Sequence, residues 1–154
     1  MKATRRHFLA SVGQWAAALA AVTVLRPLAA LAAERNHRAF EAKSMDAVLS
    51  AYGGGSAKES ADVVLTTPEI AENGAVVPVT VESKLAGTQS ISILIEKNPS
   101  VLAARFVLPE GTDPYVATRV KVAETCNVIA LVQTSSGYFY AQKPVKVTLG
   151  GCGG

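Results

Sequence analysis

Cysteine and histidine are scarce in this chain of 154 residues. Each type occurs twice, as Cys126 and Cys152 and as His7 and His37. Two cysteines are too few for a disulfide scaffold or for a structural zinc site. A Ser-His-Asp or Cys-His arrangement would have to use His37, which the sequence pattern places on a solvated helix surface. The composition therefore argues against a metalloprotein and against a histidine-dependent enzyme.

Acidic residues are absent from the first 33 positions. This stretch holds four of the 15 Lys and Arg residues, so residues 34–154 carry the other eleven with all 12 acids, a formal charge of −1. The overall charge of +3 belongs to the N-terminus and does not indicate a nucleic-acid partner. A phosphate-binding loop is not indicated either, because Gly53-Gly54-Gly55 lacks the Lys-Ser/Thr sequel.

The N-terminus has the pattern of an export signal. Arg5 and Arg6 form a twin-arginine signature, a mainly apolar run follows from Phe8 to Leu25, and small residues at 29–33 suit a signal peptidase. The alternative is a retained membrane anchor. However, this apolar run contains several polar and small residues, and its length is close to the minimum for a membrane-spanning helix. We expect residues 1–33 to be a cleaved twin-arginine signal peptide and the mature protein to work in the periplasm without stable membrane insertion.

Hydrophobic periodicity predicts one domain over residues 34–149. Apolar residues at spacings of three to five predict a helix over about 36–52, which a run of glycines ends. The period then changes to two, and turn residues separate the runs. These alternating runs lie at 77–82, 91–96, 116–122, 128–132 and 145–149. Such alternation places one set of side chains in a core and the other, which includes Leu94 and Leu131, toward solvent. Together with the frequent turns it predicts an all-β fold in the form of a small sandwich.

Two features of the β region predict local packing. Tyr138, Phe139 and Tyr140 form an aromatic run, and we expect at least one of these rings in the core, with an interface position open for the others. Pro78 interrupts an alternating run and indicates an edge position or a bulge, because proline donates no hydrogen bond to a ladder.

The last five residues place a cysteine among glycines, as Gly150-Gly151-Cys152-Gly153-Gly154. A structural cysteine is usually buried among apolar neighbours, and here there are none. Glycine explores the widest range of backbone conformations, and three residues beyond Leu149 give Cys152 a reach of roughly 10 Å. The pattern is typical of a flexible arm over residues 150–154 that presents a covalent intermediate on its thiol. The protein is then a non-catalytic carrier.

Other interpretations of the two cysteines stay open. The tail can be an incidental disordered segment. A Cys126–Cys152 disulfide would close a loop of 27 residues and add a few kcal/mol of stability, although we favour a partly buried structural thiol at Cys126. Two rival functions are a periplasmic interaction domain with a dispensable tail and an independent thiol enzyme. The enzyme would need a local activating base, which the sequence does not supply.

Three further segments carry a family resemblance together with the leader and the C-terminal motif. They are Pro68–Val79, Glu96–Pro99 with Ala103–Phe106, and Val145–Gly154. In these segments the chain resembles the SoxY family, the sulfur carriers of Sox thiosulfate-oxidising systems. The resemblance covers essentially the whole mature chain.

The resemblance implies an immunoglobulin-like β-sandwich that forms a heterodimer with a SoxZ-like subunit. It implies that a SoxXA-like haem enzyme joins thiosulfate-derived sulfur to Cys152 and that a SoxB-like hydrolase releases sulfate. In some systems a SoxCD-like dehydrogenase then oxidises the remaining sulfane sulfur. Cys152 carries the sulfur in this scheme, the flanking glycines form the arm, and the carrier has no metal or other cofactor of its own. Cys126 lies outside the motif and receives no role.

Overall fold

A computed structural model describes residues 35–148. The export signal predicted over residues 1–33 and the arm predicted over residues 150–154 lie outside the described residues. Two helices, α1 (His37–Glu41) and α2 (Met45–Ala51), precede nine strands. The strands are β1 (Ala57–Glu59), β2 (Val63–Thr66), β3 (Ile70–Ala71), β4 (Val77–Ser83), β5 (Thr88–Ile95), β6 (Leu102–Val107), β7 (Tyr115–Val120), β8 (Cys126–Thr134) and β9 (Gly137–Val147).

The segment predicted as one helix is divided into two. The backbone becomes extended at Ala42, and the Ser44 hydroxyl then accepts a hydrogen bond of 3.2 Å from the Ala47 N–H. A serine in this position satisfies a free donor of the first turn and so favours a new helix start. Within residues 35–148, neither helix is long and apolar enough to cross a membrane.

The strands form two sheets that share one core. The larger sheet has the order β1-β9-β8-β5-β6, with β3 also paired to β9, and the smaller sheet has the order β2-β4-β7. The ladders β1–β9 and β3–β9 are parallel, and the others are antiparallel. This arrangement confirms the predicted all-β sandwich with a short helical segment at its N-terminal end.

The residues that the period-two pattern predicts for the core meet between the sheets. They come from β4, β5 and β8, and each is at most 1% exposed: Val77, Val79, Val81, Ile91, Ile93, Ile95, Val128, Ala130 and Val132. Fully burying a Val or Ile side chain contributes about 1.5–3 kcal/mol. These contacts therefore supply much of the free energy that holds the two sheets together.

The outer face of the larger sheet is covered by the helices. Leu94 and Leu131 alternate with the inner residues, which predicts that they face solvent, yet they are 0% and 1% exposed. They pack in one cluster with Val48 and Leu49 of α2. The prediction of a solvated outer face is therefore wrong at these positions, because the helices form an additional layer.

The aromatic run of β9 contributes to both clusters. Tyr138 is buried in the cluster beneath the helices, and Tyr140 packs against the same cluster. Phe139 packs against the core between the sheets. The expectation that at least one of the three rings lies in the core is confirmed.

Pro78 lies on β4, the middle strand of the smaller sheet, rather than on an edge strand. The β2–β4 ladder ends at the pair Thr66–Thr80, however, so Pro78 lies beyond it. The Pro78 carbonyl instead accepts a hydrogen bond of 3.1 Å from the Thr67 hydroxyl. The strand is central, but its proline stands where the neighbouring ladder has already ended.

Candidate functional site at the end of the last strand

Strand β9 leads the chain toward the cysteine that the sequence singles out. Thr148 is the last described residue and lies four residues before Cys152 in the sequence. At about 3.3–3.6 Å per residue, Cys152 lies no more than roughly 14 Å from Thr148. Several predicted functional residues lie outside the described residues: Arg5, Arg6, Gly150, Gly151, Cys152, Gly153 and Gly154. The described residues therefore include the surface around Thr148, the last described residue before Cys152.

Residues 68–76, which we call the exit collar, hold the end of β9. The collar contains β3, whose two residues pair in parallel with Lys146 and Val147. One position further, the Thr148 N–H donates a hydrogen bond of 3.1 Å to the Ala71 carbonyl. These backbone bonds hold residues 146–148 against the collar.

Close packing at Gly74 brings the collar against the same strand end. A Cβ at this position would lie 2.5 Å from the Val122 carbonyl oxygen and 2.9 Å from Val147 Cγ1. The Gly74 carbonyl accepts a hydrogen bond of 2.7 Å from the Val122 N–H. Before it, the Asn73 side-chain oxygen accepts a hydrogen bond of 2.9 Å from the Ala75 N–H, which forms a tight turn. The collar thus has a defined path that depends on a residue without a side chain.

Thr125 and Cys126 hold the other side of the strand end. The Val147 N–H donates a hydrogen bond of 3.0 Å to the Thr125 hydroxyl oxygen. Cys126 pairs with Val145, is 7% exposed, and carries a free thiol in the core between the sheets. Its position fits the expected role of a buried structural thiol.

A cavity of about 800 Å³ lies beside the exit. Its lining contains acidic, basic, polar and apolar residues: Thr67, Glu69, Ile70, Glu96, Lys97, Thr125, Cys126, Asn127, Lys143, Pro144, Val145 and Lys146. The sequence pattern did not predict this cavity, because its walls come from segments far apart in the chain. The signal that points to it is the family resemblance, since three of the resembling segments, at 68–79, 96–99 and 145–154, contribute to its lining.

Other candidate chemistry in the described chain is sparse. His37 is exposed on α1, as expected for a solvated helix residue. Within residues 35–148, no group of three or more His, Cys, Asp or Glu side chains is placed to hold a metal ion.

A polar cluster lies beneath the helices, on the outer face of the larger sheet. The Arg105 guanidinium carbon stacks 3.8 Å from the centroid of the Tyr52 ring, and Arg105 Nη2 donates a hydrogen bond of 2.6 Å to Gln133 Oε1. Burial raises the pKa of the Tyr52 hydroxyl, Arg105 opposes this change, and Tyr138 adds to it. The sequence did not predict this cluster, because its members are far apart in the chain.

Comparison with known proteins identifies the family. The family model described as "Sulfur oxidation protein SoxY" matches residues 49–152, a span that includes the collar and Cys152. The solved structure of the sulfur carrier protein SoxY from Chlorobium limicola f thiosulfatophilum is 38% identical, with a TM-score of 0.61 over 68% of this chain and 94% of that chain.

A second solved structure, a superoxide reductase (neelaredoxin) from Ignicoccus hospitalis, is 20% identical, with a TM-score of 0.48 over 57% of this chain and 83% of that chain. No curated protein matches the chain. The family model and the 38% identical carrier agree with each other and with the β-sandwich fold. This chain therefore belongs to the SoxY family, the sulfur carriers that work with the other components of the Sox sulfur-oxidation system.

Proposed function

We propose that this protein holds thiosulfate-derived sulfur on Cys152 and presents it to the enzymes of thiosulfate oxidation. One observation carries the proposal. The SoxY family match extends through Cys152, and β9 brings the chain to Thr148, four residues away, at the edge of the described sandwich. The domain thus serves as a support for the cysteine, and the residues that flank it in the sequence are glycines, the residue type with the widest range of backbone conformations.

The loading step is an oxidative coupling. The Cys152 Sγ–H bond is replaced by a bond from Sγ to the outer sulfur of thiosulfate. One proton leaves to solvent, and two electrons pass to a SoxXA-like haem enzyme. An ordinary thiol has a pKa near 8.5, so only a few per cent is thiolate at neutral pH. The activating groups therefore come from the enzyme, and the carrier itself stays non-catalytic and free of cofactors.

The release step is a hydrolysis. Water breaks the bond between the outer sulfane sulfur and the sulfonate group, sulfate leaves, and Cys152 keeps the sulfane sulfur as a persulfide. A SoxB-like hydrolase performs this step, and a SoxCD-like dehydrogenase, in systems that have one, oxidises the remaining sulfur. Because each enzyme needs the same sulfur atom in its own active site, the thiol has to move between partners.

The cavity beside the exit is within reach of the arm. The first adduct is an anion, and Lys97, Lys143 and Lys146 in the cavity lining favour negative charge, whereas Glu69 and Glu96 oppose it. An adduct placed in this cavity is partly removed from thiols in solution, and the Cys126 thiol of the lining is only 7% exposed.

The setting of this function is the periplasm. Arg5 and Arg6 direct export of the folded protein by the twin-arginine pathway, and a SoxZ-like subunit completes the carrier as a heterodimer.

The test is a pair of cysteine variants assayed with the partner subunit and the sulfur-oxidising enzymes. Cys152→Ser is expected to abolish sulfate production from thiosulfate, because no atom remains to hold the sulfur. Cys126→Ala is the matched control and is expected to retain it, because the Cys126 thiol is buried in the core. Full sulfate production by Cys152→Ser contradicts the proposal. So does full activity after deletion of residues 150–154, which would support an interaction domain with a dispensable tail.

A further inference from the structure

The short arm restricts where an enzyme can bind, a consequence that rests on the proposed role of Cys152. The four residues from Thr148 to Cys152 span at most roughly 14 Å. The sulfur must enter the active site of the enzyme, which takes up part of this length. An enzyme that reacts with Cys152 therefore has to place its own surface against the residues around Thr148.

The exit collar carries exposed apolar side chains at this place. In the described part of the chain, four large apolar residues are exposed, and two of them, Ile70 at 59% and Val76 at 51%, belong to the collar. Ile70 pairs with Lys146, two residues before Thr148. Both side chains line a depression of about 450 Å³ on the collar surface, and Ile70 also lines the larger cavity. The apolar surface thus lies beside the exit of the arm.

The collar backbone is held in place by the fold. Ile70 lies in the β3–β9 ladder, Asn73 forms a turn with Ala75, and Gly74 packs against Val147. An ordered backbone loses little conformational freedom when a partner covers it, which favours binding. Solvent-exposed apolar groups in a rimmed depression are typical of protein interaction sites.

The charged residues of the collar indicate the charge of the partner surface that would bind it. Glu69 and Glu72 flank Ile70, and both are exposed. We propose that the collar, through Ile70 and Val76 with Glu69 and Glu72, is the docking surface for the haem enzyme that loads thiosulfate-derived sulfur on Cys152. The matching enzyme face has apolar residues around a narrow active-site mouth and basic residues at its rim. A basic rim suits both the collar carboxylates and thiosulfate, the anion that this enzyme joins to the Cys152 thiol.

The test uses the carrier in complex with its partner subunit as the substrate of the haem enzyme that loads thiosulfate. In the collar variant Ile70→Ser/Val76→Ser, we expect kcat/KM for the carrier to fall by about tenfold, with kcat at saturating carrier unchanged. The control Val107→Ser/Tyr115→Ser changes the other two exposed apolar residues, which are 66% and 56% exposed and lie on β6 and β7. It is expected to keep the wild-type kcat/KM.

Three further measurements distinguish docking from other effects. The reaction of Cys152 with 5,5′-dithiobis(2-nitrobenzoic acid) is expected to stay at the wild-type rate, because this small reagent needs no docking surface. Val76→Ser alone, outside the strands, is expected to lower kcat/KM without disturbing β3. Glu69→Gln/Glu72→Gln is expected to weaken the dependence of kcat/KM on salt.

Several results overturn the inference. Wild-type kcat/KM in the collar variant rejects the collar as the docking surface, and the proposed function stands if Cys152→Ser is still inactive. Equal losses in the collar and control variants reject it as well. Loss of the partner subunit from the collar variant in size-exclusion chromatography assigns the collar to the heterodimer interface instead and also rejects the inference.

Discussion

Gly74 lies so close to Val147 that a Cβ at position 74 would come within 2.9 Å of Val147 Cγ1. Val147 is the last residue of β9, so this contact joins the exit collar to the point where the chain leaves the sandwich. The same glycine bonds to Val122 through its carbonyl. The position of the exposed collar residues relative to the end of β9 therefore depends on the absence of a side chain at one position.

Gly74→Ala is expected to lower the free energy of unfolding by about 1–3 kcal/mol, the usual cost of an added methyl group in a closely packed site. The Val122 carbonyl oxygen, 2.5 Å from the new Cβ, belongs to the backbone and cannot move aside easily. Urea denaturation measures the change. Gly55→Ala is the matched control, because its Cβ would have no atom of the described residues within 4 Å, and we expect a change within about 0.5 kcal/mol. Equal changes in the two variants would contradict close packing at Gly74.

The Tyr138 hydroxyl is buried and has no hydrogen-bond partner among residues 35–148. An unsatisfied buried polar group is costly, so Tyr138→Phe is expected to leave stability unchanged or to raise it by up to about 1 kcal/mol. Tyr138→Ala, which also removes the ring from the cluster beneath the helices, is expected to cost about 3–5 kcal/mol. Urea denaturation of both variants tests this pair of expectations. A clear loss of stability in Tyr138→Phe would show that the hydroxyl has a partner, such as a bound water.

Tyr52 makes stability dependent on pH in the alkaline range. Burial holds the pKa of Tyr52 above its ordinary value of 10.0 in the folded protein, although Arg105 opposes the shift. Between the unfolded and folded pKa values, the folded state keeps a proton that the unfolded state has lost. The free energy of unfolding therefore falls as pH rises through this window and does not depend on this group below it.

Tyr52→Phe removes this titration, so its stability is expected to fall less steeply above pH 10 than that of the wild type. Denaturation curves measured from neutral pH to well above 10 provide the comparison. Tyr115→Phe is the control, because Tyr115 is 56% exposed, and we expect it to keep the wild-type slope. An identical slope in Tyr52→Phe and the wild type would refute the assignment.

We expect Cys126 to contribute to stability rather than to sulfur transfer. Cys126→Ser places a hydroxyl among apolar neighbours, where a polar group without a partner costs about 1–3 kcal/mol. We expect Cys126→Ser to be less stable than Cys126→Ala in urea denaturation, with both variants loaded by the haem enzyme at the wild-type rate. Slower loading in both variants, at a temperature where they are folded, would give Cys126 a part in the chemistry.

The sequence pattern predicted the strands whose residues alternate clearly. Ile91, Ile93 and Ile95 define β5 because one side of that strand meets the other sheet. Strands β1, β2, β3 and β6 were not predicted. β3 has two residues, so no period can appear in it. Ala103, Ala104 and Arg105 give β6 no alternation either, and its pairing with β5 decides the structure instead.

Some functional residues can likewise be predicted from the local sequence, and others cannot. Cys152 stands out locally, because a thiol between pairs of glycines has no structural explanation in a core. The exit collar does not stand out, since Ile70 reads as an ordinary apolar residue until its pairing with Lys146 places it beside the arm. Contacts between distant segments place the collar beside the end of β9 and form the cavity, and local sequence patterns do not reveal such contacts.

The location of the bound sulfur tests the central claim most directly. The protein is incubated with thiosulfate, the partner subunit and the loading enzyme, and its intact mass and peptide map are then measured. The predicted result is the added mass of a thiosulfate-derived group on the peptide that contains Cys152, with Cys126 unmodified and no added mass in Cys152→Ser. An adduct on Cys126, or sulfate production without any adduct on Cys152, would contradict the account.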